Sequence, residues 1–291
     1  MEVSKNIMIK SLFGEDLKRI VTKIVHPFRN CFILFNFSNK AQNNKVNLNY
    51  WSEAPNLGDS ISPLIVKYML SQKNISLDSK INGKRHLYAV GSILTAGVQD
   101  CTVWGSGVLN SKITYRLENR MLDIRSVRGP LTRIVLADYG YVCPEIYGDP
   151  AIFMPDIYTP TNINKESKIG LIAHKDYKMS EDFNTNYFKV IDIKTDDYEM
   201  FIDELVNVDK IISSSLHGII LAEAYGIPAI LLRPQVDLFK YYDYYYSTGR
   251  FDFPIADSIS EAMNMECCVL PDFTEMKKNI KNAFPYDIFT N

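Results

Sequence analysis

Residues 211–232, IISSSLHGIILAEAYGIPAILL, predict a buried strand, a helix and a second buried strand in close succession. Apolar side chains recur at helical spacing from Leu216 to Tyr225. The preceding serines, residues 213–215, are expected to cap this helix by accepting hydrogen bonds from its first N–H groups. Gly226 permits a left-handed C-terminal cap, and Pro228 prevents the helix from continuing. This unit is typical of a parallel α/β sheet.

His217 stands between the serines and the helix. The N-terminus of a helix offers N–H groups without partners and a partial positive charge, and an imidazole titrates near neutral pH. We therefore predict an anion-binding site at the start of this helix.

The bulk properties exclude several classes of protein. Of the 291 residues, 46% are hydrophobic and 23% charged, as in ordinary soluble globular proteins. The net charge of −2 and the lack of a basic run argue against nucleic-acid binding. Five cysteines without a C-x-x-C pair and four scattered histidines argue against a disulfide framework or a metal site. The sequence shows no membrane-spanning apolar run and no signal peptide, so we expect a cytoplasmic protein.

Strands and helices alternate along the chain, which predicts an α/β fold with two doubly wound Rossmann-like domains facing a central cleft. We place the N-terminal domain at residues 46–157, a linker at 158–167 and the C-terminal domain at 168–291. Residues 1–45 are expected to contain an amphipathic helix packed on the body, with a membrane surface as the alternative. Ligands of such folds bind outside the carboxyl ends of the strands, where small or charged residues follow each predicted strand.

Several short motifs at these strand ends resemble, in their order and spacing, the polysaccharide pyruvyl transferase family. The motifs are Asn56-Leu57-Gly58-Asp59, Gly105-Ser106-Gly107, Ser126-Val127-Arg128-Gly129, Gly148-Asp149-Pro150-Ala151 and Ser213-Ser214-Ser215-Leu216-His217-Gly218. The resemblance implies a fold like that of two-domain glycosyltransferases of the B type. It implies transfer of the enolpyruvyl group of phosphoenolpyruvate, a co-substrate with no further cofactor, to a sugar as a pyruvate ketal.

The resemblance also suggests roles for individual residues. The candidates for acid and base, with the order left open, are His217, Asp59 and Asp149. The donor is expected to contact Arg128, Ser214, Ser215, Leu216 and His217. Several members carry an arginine where this chain has Ser215, so a further cation is sought in Arg128, Arg233 or Lys175. The acceptor, a lipid-linked or nucleotide-linked sugar, is expected at Asn56, Gly58, Gly107, Glu223 and Tyr245.

Two alternatives stay open from the sequence. A nucleotide-sugar glycosyltransferase shares the architecture and would use Glu223 on a sugar hydroxyl. A non-catalytic glycan-binding protein would use the tyrosine-rich segment 239–253, whose rings otherwise pack on the second domain.

Overall fold

The structure, a computed structural model, describes residues 41–161, 163–165, 169–173 and 188–290. The predicted N-terminal helix and Lys175 lie outside the described residues. None of the helices in these ranges is both long and apolar enough to cross a membrane.

Two parallel sheets form the framework, which confirms the α/β class. The first sheet has four strands in the order β1-β2-β3-β4, which are Lys45–Asn49, Lys84–Tyr88, Cys101–Trp104 and Leu122–Ser126. The second has five strands in the order β6-β5-β7-β8-β9, with β5 Ile169–Ile172, β6 Lys189–Val190, β7 Lys210–Ser213, β8 Ala229–Leu232 and β9 Ile255–Ala256. Strand β8 is buried along its whole length, as the strands of a parallel sheet covered on both faces are.

Among the described strands, the direction in which successive strands are added to a sheet reverses only in the second sheet. From β5 the chain adds β6 on one side and then β7, β8 and β9 on the other, so the switch point lies between β5 and β7. The first sheet adds its four strands in one direction, so the doubly wound order predicted for both halves is not seen there. Ligands of open α/β sheets bind at the switch point, which places the segment after β7 where a site is expected.

Nine α-helices cover the sheets in the described ranges. They are α1 Leu57–Ser60, α2 Ser62–Ser71, α3 Pro130–Asp138, α4 Met154–Ile157, α5 Tyr198–Val206, α6 Leu216–Ala224, α7 Phe239–Ser247, α8 Ile259–Asn264 and α9 Thr274–Asn282. Short 3₁₀ turns occur at Thr114–Leu117, Pro150–Phe153 and Tyr286–Phe289. Prolines at positions 144, 150, 155 and 160 predict a loop, but part of this segment is helical, because Pro150 and Pro155 occupy first turns, where no N–H is needed.

The start of α6 differs from the prediction in one detail. Ser215 is the N-cap residue, but its side chain makes no capping hydrogen bond. Instead, Ser213 Oγ accepts a hydrogen bond from the Ser215 N–H at 3.0 Å, so the serines order the loop before the helix. The predicted C-terminal cap is confirmed, since Gly226 has a φ of +75°.

One buried cluster joins the two halves of the chain. It includes Leu57 and Trp104 from the first half and Ile219 from α6. The C-terminal segment returns to the first sheet, where Trp104 Nε1 donates to the Ile280 carbonyl at 2.9 Å. The domain boundaries and the central cleft between two lobes stay predictions.

Candidate functional site

The loops after β2 and β3 are bonded to each other. The Gly91 carbonyl accepts hydrogen bonds from the Gly107 N–H at 3.1 Å and from Ser106 Oγ at 3.0 Å. A Cβ on Gly107 would lie 2.5 Å from Nη2 of Arg128. Glycine at this position therefore makes room for the guanidinium, as expected for a close approach.

Arg128 is completely buried, and each of its side-chain nitrogens donates a hydrogen bond. Nη1 donates to Ser92 Oγ at 2.6 Å, Nη2 to the Val108 carbonyl at 2.7 Å and Nε to Asp243 Oδ2 at 3.1 Å. The guanidinium thus links α7 to Ser92 and Val108, which lie in the loops after β2 and β3 of the first sheet.

His217 and Asp149 face each other across the boundary between the two halves. His217 Nε2 lies 3.5 Å from Asp149 Oδ2, and both atoms are buried without a hydrogen-bond partner. The other carboxylate oxygen of Asp149 accepts from the Ala151 N–H at 3.0 Å, which fixes the side chain. Catalytic hydrogen bonds are often long without substrate and shorten when it binds, so this pair has the geometry of a proton-transfer dyad.

Gly58 allows His217 to reach this position. A Cβ on Gly58 would overlap the imidazole, with His217 Cγ only 2.5 Å away. The Leu57 N–H donates to the Ile193 carbonyl at 2.9 Å, which attaches α1 to the second half of the chain. Gly58 therefore contacts His217 directly. Its predicted role in binding the acceptor stays a prediction.

A small cavity of about 50 Å³ opens beside His217. Its lining comes from both halves: Asn56, Ser92, Ile193, Ser215, Leu216, His217 and Lys240. Asn56 Nδ2 donates to a carboxylate oxygen of Asp59, so that this candidate acid or base lies next to the lining. The structure therefore brings together His217, Asp149, Ser215, Leu216, Asn56 and Asp59.

Ser92, Ile193 and Lys240 line the cavity but were not predicted as site residues, and Lys240 is the charged one among them. It lies in α7 and its side chain is buried, with the residue 9% exposed. No motif distinguishes it among the surrounding tyrosines, so the only signal was a lysine within an aromatic helix.

Helix α7 connects the structural elements around the cavity. Tyr241 donates to the Ser214 carbonyl at 2.6 Å, and burial raises the pKa of Tyr241, so the hydroxyl stays a donor. Asp243 accepts from Thr132 Oγ1 at 2.6 Å, in addition to the bond from Arg128. The tyrosine-rich segment is thus a packing helix, and its rings Tyr241, Tyr244 and Tyr245 are buried.

Three predicted site residues lie away from the cavity lining. Glu223 accepts two hydrogen bonds from Arg250, at 2.6 and 2.7 Å, and a third from Tyr244 at 2.5 Å. Tyr245 stacks on Phe253 with ring centroids 3.9 Å apart, and Arg233 is exposed and paired with Asp257. Their predicted roles in binding stay untested.

The arrangement suits an anionic ligand and proton transfer. The cavity combines an ammonium group with the N-terminus of α6, both of which bind anions. No group of three His, Cys, Asp or Glu side chains in the described ranges is placed to hold a metal ion.

Comparison with known proteins gives three matches. A family model described as polysaccharide pyruvyl transferase matches residues 56–235, more than half of the 291 residues. The uncharacterized protein L143 of Acanthamoeba polyphaga mimivirus is 28% identical over 218 residues, covering 69% of this chain and 73% of L143. The succinoglycan biosynthesis protein ExoV of Rhizobium meliloti (strain 1021) is 25% identical over 215 residues, covering 69% of this chain and 64% of ExoV.

Proposed function

Because the chain belongs to the polysaccharide pyruvyl transferase family, we propose that it transfers the enolpyruvyl group of phosphoenolpyruvate to a sugar of a cell-surface polysaccharide precursor. The product would be a cyclic pyruvate ketal, and phosphate would leave. The observation that carries this proposal is the His217–Asp149 pair beside a cavity that Lys240 and the start of α6 line.

The reaction moves protons in both of its steps. One sugar hydroxyl adds to C2 of the donor and gives up its proton, while C3 gains a proton, which turns the methylene group into a methyl group. A second hydroxyl then replaces the phosphate at C2, and its proton leaves with the phosphate. Two C–O bonds form, and the C2–O bond to phosphate breaks.

We propose that His217 delivers the proton to C3. Asp149 holds the imidazole in one orientation, as the carboxylate of a catalytic triad does. We propose that Asp59, whose carboxylate accepts a hydrogen bond from the lining residue Asn56, takes the proton of the acceptor hydroxyl. A side chain in such a role contributes about 10²- to 10⁴-fold to the rate.

The test combines purified protein, phosphoenolpyruvate and candidate glycan acceptors. We expect acceptor-dependent release of phosphate and a ketal detectable by mass spectrometry. His217→Ala and Asp149→Asn should each lower turnover at least about a hundredfold, with an unchanged circular dichroism spectrum. Asp149→Asn keeps the oxygen that accepts from Ala151, so it tests the Oδ2 contact with His217.

His86→Gln provides a matched control. His86 lies on β2 beside Asn49, and burial, followed by the charge of Lys84, lowers its pKa to about 4. Loss of this imidazole should leave turnover unchanged at neutral pH. Phosphate release without any acceptor, or full activity in His217→Ala, would refute the proposal.

The alternative functions gain no support from the packing. The nucleotide-sugar hypothesis relied on Glu223, whose carboxylate is engaged by Arg250 and Tyr244. The glycan-binding hypothesis relied on exposed tyrosine rings, but Tyr241 and Tyr245 are buried.

A further inference from the structure

Ser92 contributes a hydroxyl group to the cavity lining from the loop after β2. Its Oγ lies 2.6 Å from Nη1 of Arg128. A guanidinium group has donors and no acceptor, so Ser92 Oγ accepts this hydrogen bond and its own proton points elsewhere. Among the residues that the structure describes, none accepts a hydrogen bond from Ser92 Oγ. Because Ser92 lines the cavity, a ligand bound there can accept this proton.

The backbone holds Ser92 in place from both sides. The Gly91 carbonyl before it accepts hydrogen bonds from the Gly107 N–H at 3.1 Å and from Ser106 Oγ at 3.0 Å. The Leu94 N–H after it donates to the Gly107 carbonyl at 3.3 Å. The loop that carries Ser92 is therefore bonded to the loop after β3 at two points, and the position of the hydroxyl is set before a ligand binds.

Arg128 is fixed as firmly as the loop. It is completely buried, with Nε donating to Asp243 Oδ2 at 3.1 Å and Nη2 to the Val108 carbonyl at 2.7 Å. The Thr132 N–H donates to the other oxygen of Asp243 at 2.9 Å, which holds the carboxylate. Hydrogen bonds in a chain polarise one another, so the guanidinium makes the Ser92 hydroxyl a stronger donor than an isolated serine.

We propose that Ser92 donates a hydrogen bond to an anionic oxygen, of a carboxylate or a phosphate, in the ligand of this cavity, and that Arg128 positions Ser92 to do so. The identity of the ligand as phosphoenolpyruvate, which carries both groups, rests on the proposed function. Arg128, predicted to contact the donor, would then act on it through Ser92. Ser215 and His217 line the same cavity, so the ligand would be held from both halves of the chain.

The test is calorimetric titration of the full chain with phosphoenolpyruvate, inorganic phosphate and pyruvate. Ser92→Ala should weaken the binding of phosphoenolpyruvate by roughly ten- to a hundredfold, the range for a hydrogen bond to a charged group. Ser92→Thr keeps the hydroxyl and should retain more of the affinity. Ser71→Ala is the matched control, because Ser71 lies in α2 and donates to the Tyr68 carbonyl at 2.7 Å. It should bind as the wild type does.

The two smaller anions identify the group that Ser92 contacts. A loss of affinity for inorganic phosphate in Ser92→Ala would support a contact with phosphate, and a loss for pyruvate would support a contact with carboxylate. If Ser92→Ala does not fold, Ser92→Cys takes its place, because a thiol is a weak donor. Lower affinity in Ser92→Cys than in Ser92→Thr supports the inference, and equal affinity overturns it.

A double-mutant cycle tests the positioning role of Arg128. Arg128→Lys should weaken the binding of phosphoenolpyruvate when Ser92 is present and have no further effect in Ser92→Ala, because residues that act as a unit are not additive. A merely structural arginine would lower the affinity equally in both backgrounds, which would overturn this role. If Arg128→Lys does not fold, Asp243→Asn, which weakens the grip on the guanidinium, replaces it in the same cycle.

The outcomes separate this inference from the proposed function. Wild-type affinity for phosphoenolpyruvate in folded Ser92→Ala would overturn the inference, even if pyruvyl transfer is found. Wild-type protein that binds none of the three anions would overturn it as well. Loss of affinity in Ser92→Ala without pyruvyl transfer to any acceptor would support the role of Ser92 and count against the proposed reaction.

Discussion

At the residue scale, Gly58 shows how a missing side chain shapes the site. Helix propensity alone would favour alanine at this position by about 1 kcal/mol. The added methyl group would overlap the ring of His217, which has to lie against α1 to meet Asp149. The local preference and the requirement of the site therefore oppose each other.

Gly58→Ala should lower turnover at least about tenfold while the protein stays folded, because displacing a catalytic side chain by about 1 Å is costly. Steady-state kinetics and thermal unfolding, measured on the same preparation, check this. Gly140→Ala is the matched control, since an added Cβ would meet nothing within 4 Å but the φ of +80° is strained. The control should lose about 1–2 kcal/mol of stability and keep its activity. Normal activity in Gly58→Ala would show that His217 has room to move.

At the scale of elements, a buried ion pair joins α6 to the turn that follows α7. Arg250 contacts both oxygens of Glu223, and the two side chains are 12% and 2% exposed. Tyr244 donates to the same carboxylate, and burial, followed by the charge of Glu223, raises the pKa of Tyr244. Together, Arg250 and Tyr244 hold α7 and the turn after it against α6, the helix that carries His217.

Arg250→Gln should destabilise the protein by about 3–5 kcal/mol, because it leaves the Glu223 carboxylate buried without its counter-charge. The check is urea unfolding followed by circular dichroism. Arg233→Gln removes an arginine whose side chain is 47% exposed and paired with Asp257. This control should have little effect on stability, because exposed ion pairs are screened by solvent and contribute little. Equal losses in the two variants would contradict a special role for the buried pair.

At the scale of the whole molecule, the C-terminal segment closes the first sheet. Phe284 packs edge-on against Trp104 with centroids 4.8 Å apart, and Tyr286 donates to the Met69 carbonyl at 2.9 Å. Arg125 pairs with Asp287 at 2.7 Å. Residues near the end of the chain thus complete a core begun more than a hundred residues earlier.

Phe284→Ala should lower the free energy of unfolding by about 3–5 kcal/mol, because it opens a cavity beside Trp104. Tryptophan fluorescence during urea unfolding measures the change. Phe251→Ala removes a ring that is 70% exposed and should cost less than about 1 kcal/mol. A small effect at Phe284 would mean that the C-terminal segment is not needed to bury Trp104.

The sequence predicted the elements well where local patterns are strong. The apolar run from Cys101 to Trp104 predicts a strand, and the helical period from Tyr198 to Val206 predicts a helix. Both elements have these bounds in the structure, because such patterns are local signals. The unit around His217 was found for the same reason. Residues 188–193 also predict a strand from their apolar pattern, but the structure pairs only Lys189–Val190, since pairing at a sheet edge depends on a neighbouring strand.

The sequence by itself determined the α/β class and the family, because these rest on periodicity and on motifs at strand ends, and it predicted His217, Asp59 and Asp149 as candidates for acid and base. Only the tertiary structure decided which positive charge reaches the cavity. Arg128 donates a hydrogen bond to Asp243, which lies 115 positions away in the sequence. Lys240 lines the cavity because α7 docks beside it. The direction of a side chain in space depends on contacts between distant segments, and periodicity along the chain carries no record of those contacts.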